Sequence, residues 1–254
     1  MKLITKTLHY TVKSNEQTGM WTEKIVCDIL KIGFNSKRDY INVTNYPFKL
    51  SKDLSITIRP MLDKLQINKH VGNKNESYDF LTVTGEHVSL KTNTNYFKVC
   101  PQTIGQTTLQ KLNQYFNTKC NKEQFKEYIM TNSFNVLNEY LKCTFICKHL
   151  INIKYNTGKI YYFYKYNTHP LLYNADLEFN NTLVTWNESN TVKIKINDQF
   201  FPLAEFQIHN NRNCIKCRFN FDTIIKLINL GLIKGITLEE YSLKYKYDIK
   251  TKLI

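Results

Sequence analysis

Ser77-Tyr-Asp-Phe-Leu-Thr-Val-Thr-Gly-Glu-His-Val-Ser-Leu-Lys-Thr-Asn93 decides how the chain is read. It holds two runs with β character, Tyr78 to Thr84 and His87 to Thr92, parted by Gly85-Glu86, and so predicts a hairpin within a sheet. Asp79 then begins one strand and Lys91 lies in the next. Because strand side chains alternate, Ser89 and Lys91 share a face and can look toward Asp79 across the hairpin.

Working outward, Trp21, Ile25, Val26, Ile29 and Leu30 recur at helical spacing behind a possible Thr18 cap, which places Glu23 on a first helix. A short strand at Leu54 to Ile58 is expected, stopped by Pro60, then a helical turn around Met61 to Leu65. Thr107 or Thr108 can cap a helix through Phe116. Asn121 with Glu123 can open a longer one whose stripe is Phe125, Tyr128, Ile129, Leu137, Tyr140 and Leu141. Beyond it the pattern turns to strands: 142 to 154, then 159 to 166 after Asn156-Thr-Gly158, 191 to 196, and a hairpin over 203 to 221. A helix from Asp222 to Leu230 and a short basic tail follow. The expected fold class is α+β, a mixed central sheet flanked by helices with a β-rich C-terminal half. No repeat or linker marks a boundary, so one continuous domain is expected, with a core at about 18–141 and a β-rich part at about 142–254.

The 254 residues are 42 % hydrophobic and 13 % aromatic, enough for a substantial core. No run approaches eighteen apolar residues and the start lacks a signal-peptide pattern, so a soluble, cytoplasmic protein that does not engage membranes is expected. A formal charge of +14, from 35 basic and 21 acidic residues spread along the chain, favours a polyanionic partner. A genome poor in G and C would also enrich Lys, Asn and Tyr. Seven cysteines, an odd number, suggest reduced thiols. Cys143-x3-Cys147-Lys-His149, read as one strand face, and Cys214-Ile-Lys-Cys217 have partial zinc-ligand spacing, against which stands the plainer reading of buried thiols.

Metal-assisted phosphodiester hydrolysis needs carboxylates for the ion, a way to activate water and a cation beside the phosphate. Glu23, Asp79 and Lys91 can supply these. The sequence here resembles the PD-(D/E)xK nuclease superfamily, and within it the type II restriction endonucleases, over roughly residues 18 to 116. The resemblance implies a restriction-endonuclease-like core, Mg2+ as cofactor, Asp79 as the metal-binding acid, Lys91 as the motif lysine and Glu23 as the supporting acid. One position departs: Ser89 stands two before Lys91, where an acid is usual, and a hydroxyl is a weak ligand for a hard cation. Gln102, Gln106 or Glu86 could fill the gap.

Asn93, Asn95 and Lys98, then Gly105 and an expected helix N-terminus, gather polar groups that suit phosphate. A second hairpin alternates Ala204, Phe206 and Ile208 with Glu205, Gln207 and His209, and Ile215, Cys217 and Phe219 with Lys216, Arg218 and Asn220. Its loop holds Asn211, Arg212 and Asn213. A ribbon with one apolar and one hydrogen-bonding face fits a DNA major groove or, equally, the edge of a core. The Tyr-rich run Lys159 to Tyr166 reads as strand packing more simply than as a stacking platform. His70 and His169 show no partner at recognisable spacing. The expected function is site-specific cleavage of double-stranded DNA by a homodimer, the resemblance also implying a cognate DNA methyltransferase in the same system. The alternatives are a non-catalytic nucleic-acid-binding protein and a repair or recombination nuclease of the same superfamily.

Overall fold

The computed structural model describes residues 6–12, 15–35, 46–72, 77–173 and 175–251. In chain order the first elements are β1 (Thr7–Val12), α1 (Asn15–Leu30), α2 (Phe48–Leu65), β2 (Ile67–His70), β3 (Phe80–Thr82), β4 (His87–Asn93), β5 (Lys98–Val99) and β6 (Gln106–Thr107). There follow α3 (Leu109–Phe116), α4 (Lys122–Thr131), α5 (Ser133–Thr144), β7 (His149–Lys154), β8 (Lys159–Lys165), β9 (Leu171–Leu172), β10 (Leu177–Phe179) and β11 (Ser189–Ile196). The last are β12 (Gln199–Ile208), β13 (Ile215–Asn220), α6 (Phe221–Asn229), β14 (Ile233–Lys234), β15 (Ile236–Ser242) and β16 (Lys246–Thr251). The fold mixes α and β, with several sheets and six helices among the described residues. Two compact units interleave along the chain: 1–97, 147–164 and 238–254 form the first, 98–146 and 165–237 the second.

In the first unit a six-stranded sheet runs β15-β8-β7-β4-β3-β2. It is mixed, since β4 and β7 are parallel while β2–β3, β3–β4 and β7–β8 are antiparallel. Alternation sorts its faces. Phe80, Val88, Leu90, Ile151, Ile153, Ile160 and Tyr162 join one buried core with Trp21, Ile25, Val26 and Ile29 of α1 and Leu50, Leu54, Ile58, Met61 and Leu62 of α2. The opposite face of the central strands carries Ser89 and Lys91, in register with Leu150 and Asn152. A separate parallel pair, β1 with β16, runs from Thr7↔Lys246 to Val12↔Thr251.

Several local expectations change. The strand at Leu54 to Ile58 is helix, because the stripe Leu50, Leu54, Ile58, Met61, Leu62 and Leu65 has the 3.6 period and its burial outweighs the β-branched Ile56-Thr57-Ile58. Pro60 sits inside α2. The carbonyl it cannot reach belongs to Ile56, which is 70 % exposed, so water can satisfy it. Thr18 does not cap α1, which begins three residues earlier; Thr18 accepts at its carbonyl from the Thr22 hydroxyl at 2.8 Å. The long helix from Asn121 divides at Asn132 into α4 and α5. The expected strand 142–154 is helix through Thr144 and strand only from His149. The basic tail is strand: Tyr247 and Ile249 are buried while their neighbours are not.

The second unit holds an antiparallel sheet, β10-β11-β12-β13-β5, with β6 also against β13. Thr108 caps α3 by accepting from the Lys111 N–H, and Asn121 with Gln124 forms a capping box on α4. Asn220 caps α6, which packs on β12.

Candidate functional site

The first unit brings Asp79, Ser89 and Lys91 together. Asp79 lies at the edge of β3, where its N–H donates to the Val88 carbonyl at 2.9 Å. Its side chain reaches the facing strand: Oδ2 accepts from the Leu90 N–H at 2.6 Å and the Ser89 hydroxyl at 3.3 Å, and Lys91 Nζ stands 3.6 Å from the same oxygen. Ser89 therefore orients Asp79. All these contacts fall on Oδ2, so Oδ1 has no protein partner among the described residues. The lysine and the carboxylate are 33 % and 17 % exposed, open enough to meet a ligand. Asn152, in register with Lys91 on β7, is fully buried and its amide has no hydrogen-bond partner.

Glu23 joins them electrostatically. Burial pushes its carboxyl above the usual carboxylate range; the Asp79 charge adds to that push, while the bond from His70 and the charges of His70 and Lys91 oppose it. Glu23 Oε2 is 3.1 Å from His70 Nε2. His70 Nδ1 accepts the Asn35 N–H at 3.0 Å. The sequence offers no role for His70, because its partner stands on another element 47 residues away. Only the fold pairs them.

The donor set fits a divalent cation of the magnesium type. Mg2+ takes one or two carboxylates and completes its shell with waters and substrate phosphate oxygens. Asp79 and Glu23 offer two. Among the described residues no group of three or more His, Cys, Asp or Glu is placed to hold a metal ion, so no third acid replaces the one missing at Ser89. Glu86 does not fill the gap: it is ion-paired with Lys148 and bonded to His149 Nε2 at 2.9 Å. Burial lowers the His149 imidazole below its usual range, and bonds from Lys148 and His149 hold Glu86 below the carboxylate range. Gln102 and Gln106 fall in the second unit. The helix N-terminus expected there is a turn, and the space at Gly105 is taken by Pro101, whose carbonyl would lie 2.1 Å from an added Cβ.

In the second unit, β12 and β13 pair Glu205↔Arg218 and Gln207↔Lys216 on one face, with Ala204, Phe206, Ile208, Ile215, Cys217 and Phe219 buried on the other. The polar face closes on Glu205. Its carboxylate accepts from Lys98 at 2.7 Å, Gln207 at 2.9 Å and Arg218 at 3.1 Å. Burial opposes its charge, but the bonds from Lys98 and Gln207 and the charges of Arg218 and Lys98 prevail and hold it below the usual range. His209 Nδ1 lies 3.0 Å from Glu188. Asn211, Arg212 and Asn213 are exposed on the connecting loop. Lys122 fastens that loop by donating to the carbonyls of His209, Asn210 and Arg212 at 2.8, 2.7 and 2.9 Å. In the first unit, Asn93 Nδ2 donates to the Tyr96 carbonyl and the Asn95 carbonyl accepts from Asn156.

The cysteines do not share a strand face as expected. Cys143 lies in the last turn of α5 and Cys147 precedes β7, where its thiol meets the Ser77 carbonyl at 3.2 Å. No disulfide joins any of the seven among the described residues.

Two carboxylates and a lysine, Asp79 beside β3, Glu23 on α1 and Lys91 on β4, suit phosphodiester cleavage, and comparison with known proteins finds a distant homologue among type II restriction enzymes. That relative is CviAII of Paramecium bursaria Chlorella virus 1, 28 % identical over 226 residues, which cover 84 % of this chain and 60 % of the relative. The chain thus spans 60 % of the length of the curated relative it matches. No family model matches the chain, and no solved structure does. No helix among the described residues is long and apolar enough to cross a membrane.

Proposed function

We propose that the chain is a site-specific endonuclease of the type II restriction class, with the PD-(D/E)xK type of core, which hydrolyses double-stranded DNA with Mg2+. The observation that carries the reading is the grouping of Asp79 and Lys91, 3.6 Å apart on facing strands, with Glu23 in electrostatic reach of both. The likeness to a restriction enzyme and the charge of +14 support it.

Asp79 and Glu23 would hold the cation, which when bound supplies Lewis-acid polarisation of the phosphate and a more acidic water. Ser89 and the Leu90 N–H hold Asp79 by Oδ2. Lys91 is drawn to Asp79 only at 3.6 Å, so its ammonium can orient the attacking water and offset charge growing on the phosphate. In the second unit, Arg212, Asn211 and Asn213 on the loop, with Lys216, Gln207, His209 and Arg218 beside it, form the proposed base-reading surface. Asn93 and Asn95 of the first unit and Lys98 of the second would contact the DNA backbone, and Gln102 and Gln106, also in the second unit, would be further phosphate-contacting groups there. A homodimer would give a palindromic site two equivalent cuts, and a cognate methyltransferase would protect the host.

A second reading, a nucleic-acid-binding protein without catalysis, is favoured by Ser89 at the acid position and by the lack of a third ligand among the described residues. One assay separates the two. Phage DNA is incubated with the protein and Mg2+, with chelator, and with a Lys91→Ala variant. Discrete fragments that need both metal and Lys91 support the endonuclease. Binding without cleavage under every divalent metal supports the second reading, and random degradation supports a repair or recombination nuclease.

A further inference from the structure

We propose that His70 is a positioning residue that fixes Glu23 so that its second oxygen serves a divalent cation shared with Asp79. This rests on the endonuclease reading and adds to it a group that touches neither metal nor DNA.

The imidazole is held on every side. Its side chain is wholly buried. Nδ1 accepts the Asn35 N–H at 3.0 Å, and a ring nitrogen that accepts carries no proton. The proton therefore sits on Nε2, which donates to Glu23 Oε2 at 3.1 Å. Phe34 stacks on one side at 4.7 Å and 16°, and Phe80 tilts against the ring at 5.0 Å. Such a donor selects one carboxylate oxygen and leaves the other for a ligand. Glu23 Oε1 has no protein partner among the described residues, and the side chain is 20 % exposed.

Gly72 closes over this bond. A Cβ there would stand 2.5 Å from His70 Cε1, 2.6 Å from Nε2 and 3.4 Å from Glu23 Oε2, and the backbone adopts φ +32°. Only glycine lets the chain pass so near. The same backbone is tied to the other acid: the Val71 and Gly72 N–H groups lie 2.9 and 3.3 Å from the Asp79 carbonyl. One short segment thus sets the orientation of Glu23 and anchors the main chain of Asp79. An imidazole needed only for packing would not require a backbone strap between two carboxylates.

The test compares wild type with His70→Leu, His70→Gln and Gly72→Ala. Mn2+ affinity is measured by calorimetry in the absence of DNA, Mg2+-dependent cleavage by gel, and integrity by thermal melting. The amide nitrogen of Gln can occupy the place of Nε2, so His70→Gln should bind Mn2+ within about threefold of wild type, whereas His70→Leu and Gly72→Ala should bind about 10–100-fold more weakly. Cleavage should need correspondingly more Mg2+. Should His70→Leu fail to fold, near-normal affinity in His70→Gln with weakened affinity in Gly72→Ala supports the inference. Unchanged affinity in folded His70→Leu, or equal losses in the Leu and Gln variants, overturns it while the wild type still cuts. A wild type that neither binds Mn2+ nor cleaves DNA overturns the endonuclease reading and this inference together.

Discussion

Two antiparallel ribbons, one in each unit, spend their carboxylates differently. At β12–β13, Glu205 is satisfied by Lys98, Gln207 and Arg218 within 3.1 Å, and its charge is held by them. At β3–β4, Asp79 is gripped on one oxygen only, its lysine stays at 3.6 Å, and Glu23 nearby bears a charge that burial and Asp79 both disfavour. A closed charge network makes a shape that can be presented to a partner. An open one stores unmet electrostatic demand, which a cation and a phosphate can meet.

The strongest way to break this contrast is to remove the open side. Asp79→Asn or Lys91→Ala should lower Mg2+-dependent cleavage by about 10²–10³-fold while leaving the melting temperature near wild type; comparable activity in either variant would move the chemistry elsewhere. Opening the closed side should act on stability instead. Glu205→Gln leaves Lys98 and Arg218 facing each other and should cost about 2 kcal/mol in urea unfolding, with a steeper salt dependence of DNA binding. Lys122→Met should loosen the loop of Asn211 to Asn213 and reduce discrimination against sites altered at one base pair by about tenfold, with the rate at the preferred site little changed.

The smallest effect sharpens the comparison with a third carboxylate. Glu86 is held below the usual range by Lys148 and His149, so its contribution is fully present above the unfolded-state value and is lost as pH falls from there through its lower folded-state value. Glu86→Gln should therefore destabilise by about 1 kcal/mol at pH 7. The gap from wild type should begin to narrow below about pH 4.3, the unfolded-state value, and close once pH has fallen past the lowered folded-state value. His149, lowered by burial, makes both proteins lose stability as pH falls below about 6.5. A gap that does not narrow at all as pH falls below about 4.3 would show that Glu86 acts through packing.

Local chemistry was legible and distant pairing was not. The β3–β4 turn at Gly85, the helix bearing Glu23 and the two faces of β12–β13 follow from alternation, periodicity and turn residues. Ile56-Thr57-Ile58 before Pro60 imitated a strand because propensity is read over a few residues, while the stripe that wins runs from Leu50 to Leu65 of an eighteen-residue helix. Leu141 to Ile153 contains neither Gly nor Pro and keeps apolar residues coming at short intervals, so nothing marks where α5 stops and β7 starts. Lys246-Tyr-Asp-Ile-Lys250 did carry a two-residue alternation, hidden by its lysines. His70 was beyond any spacing rule, since its meaning depends on α1, β2 and Gly72 meeting. The division into interleaved units was silent for a similar reason: the crossings at 97, 147, 164 and 238 have no linker composition.

The parallel pairing of β1 with β16 bears on the order of assembly. A chain emerging from a ribosome has exposed every residue of the second unit before 246–251 appear, so that unit can fold while the first still lacks its closing strand. Joining Thr7 to Lys246 encloses nearly the whole chain, which makes it a late and slow step. The last segment of the first unit, 238–254, follows every residue of the second, so the surface proposed to hold DNA is fully synthesised before the unit bearing Asp79 and Lys91 is. On the endonuclease reading, cleavage would be the last capability the molecule acquires.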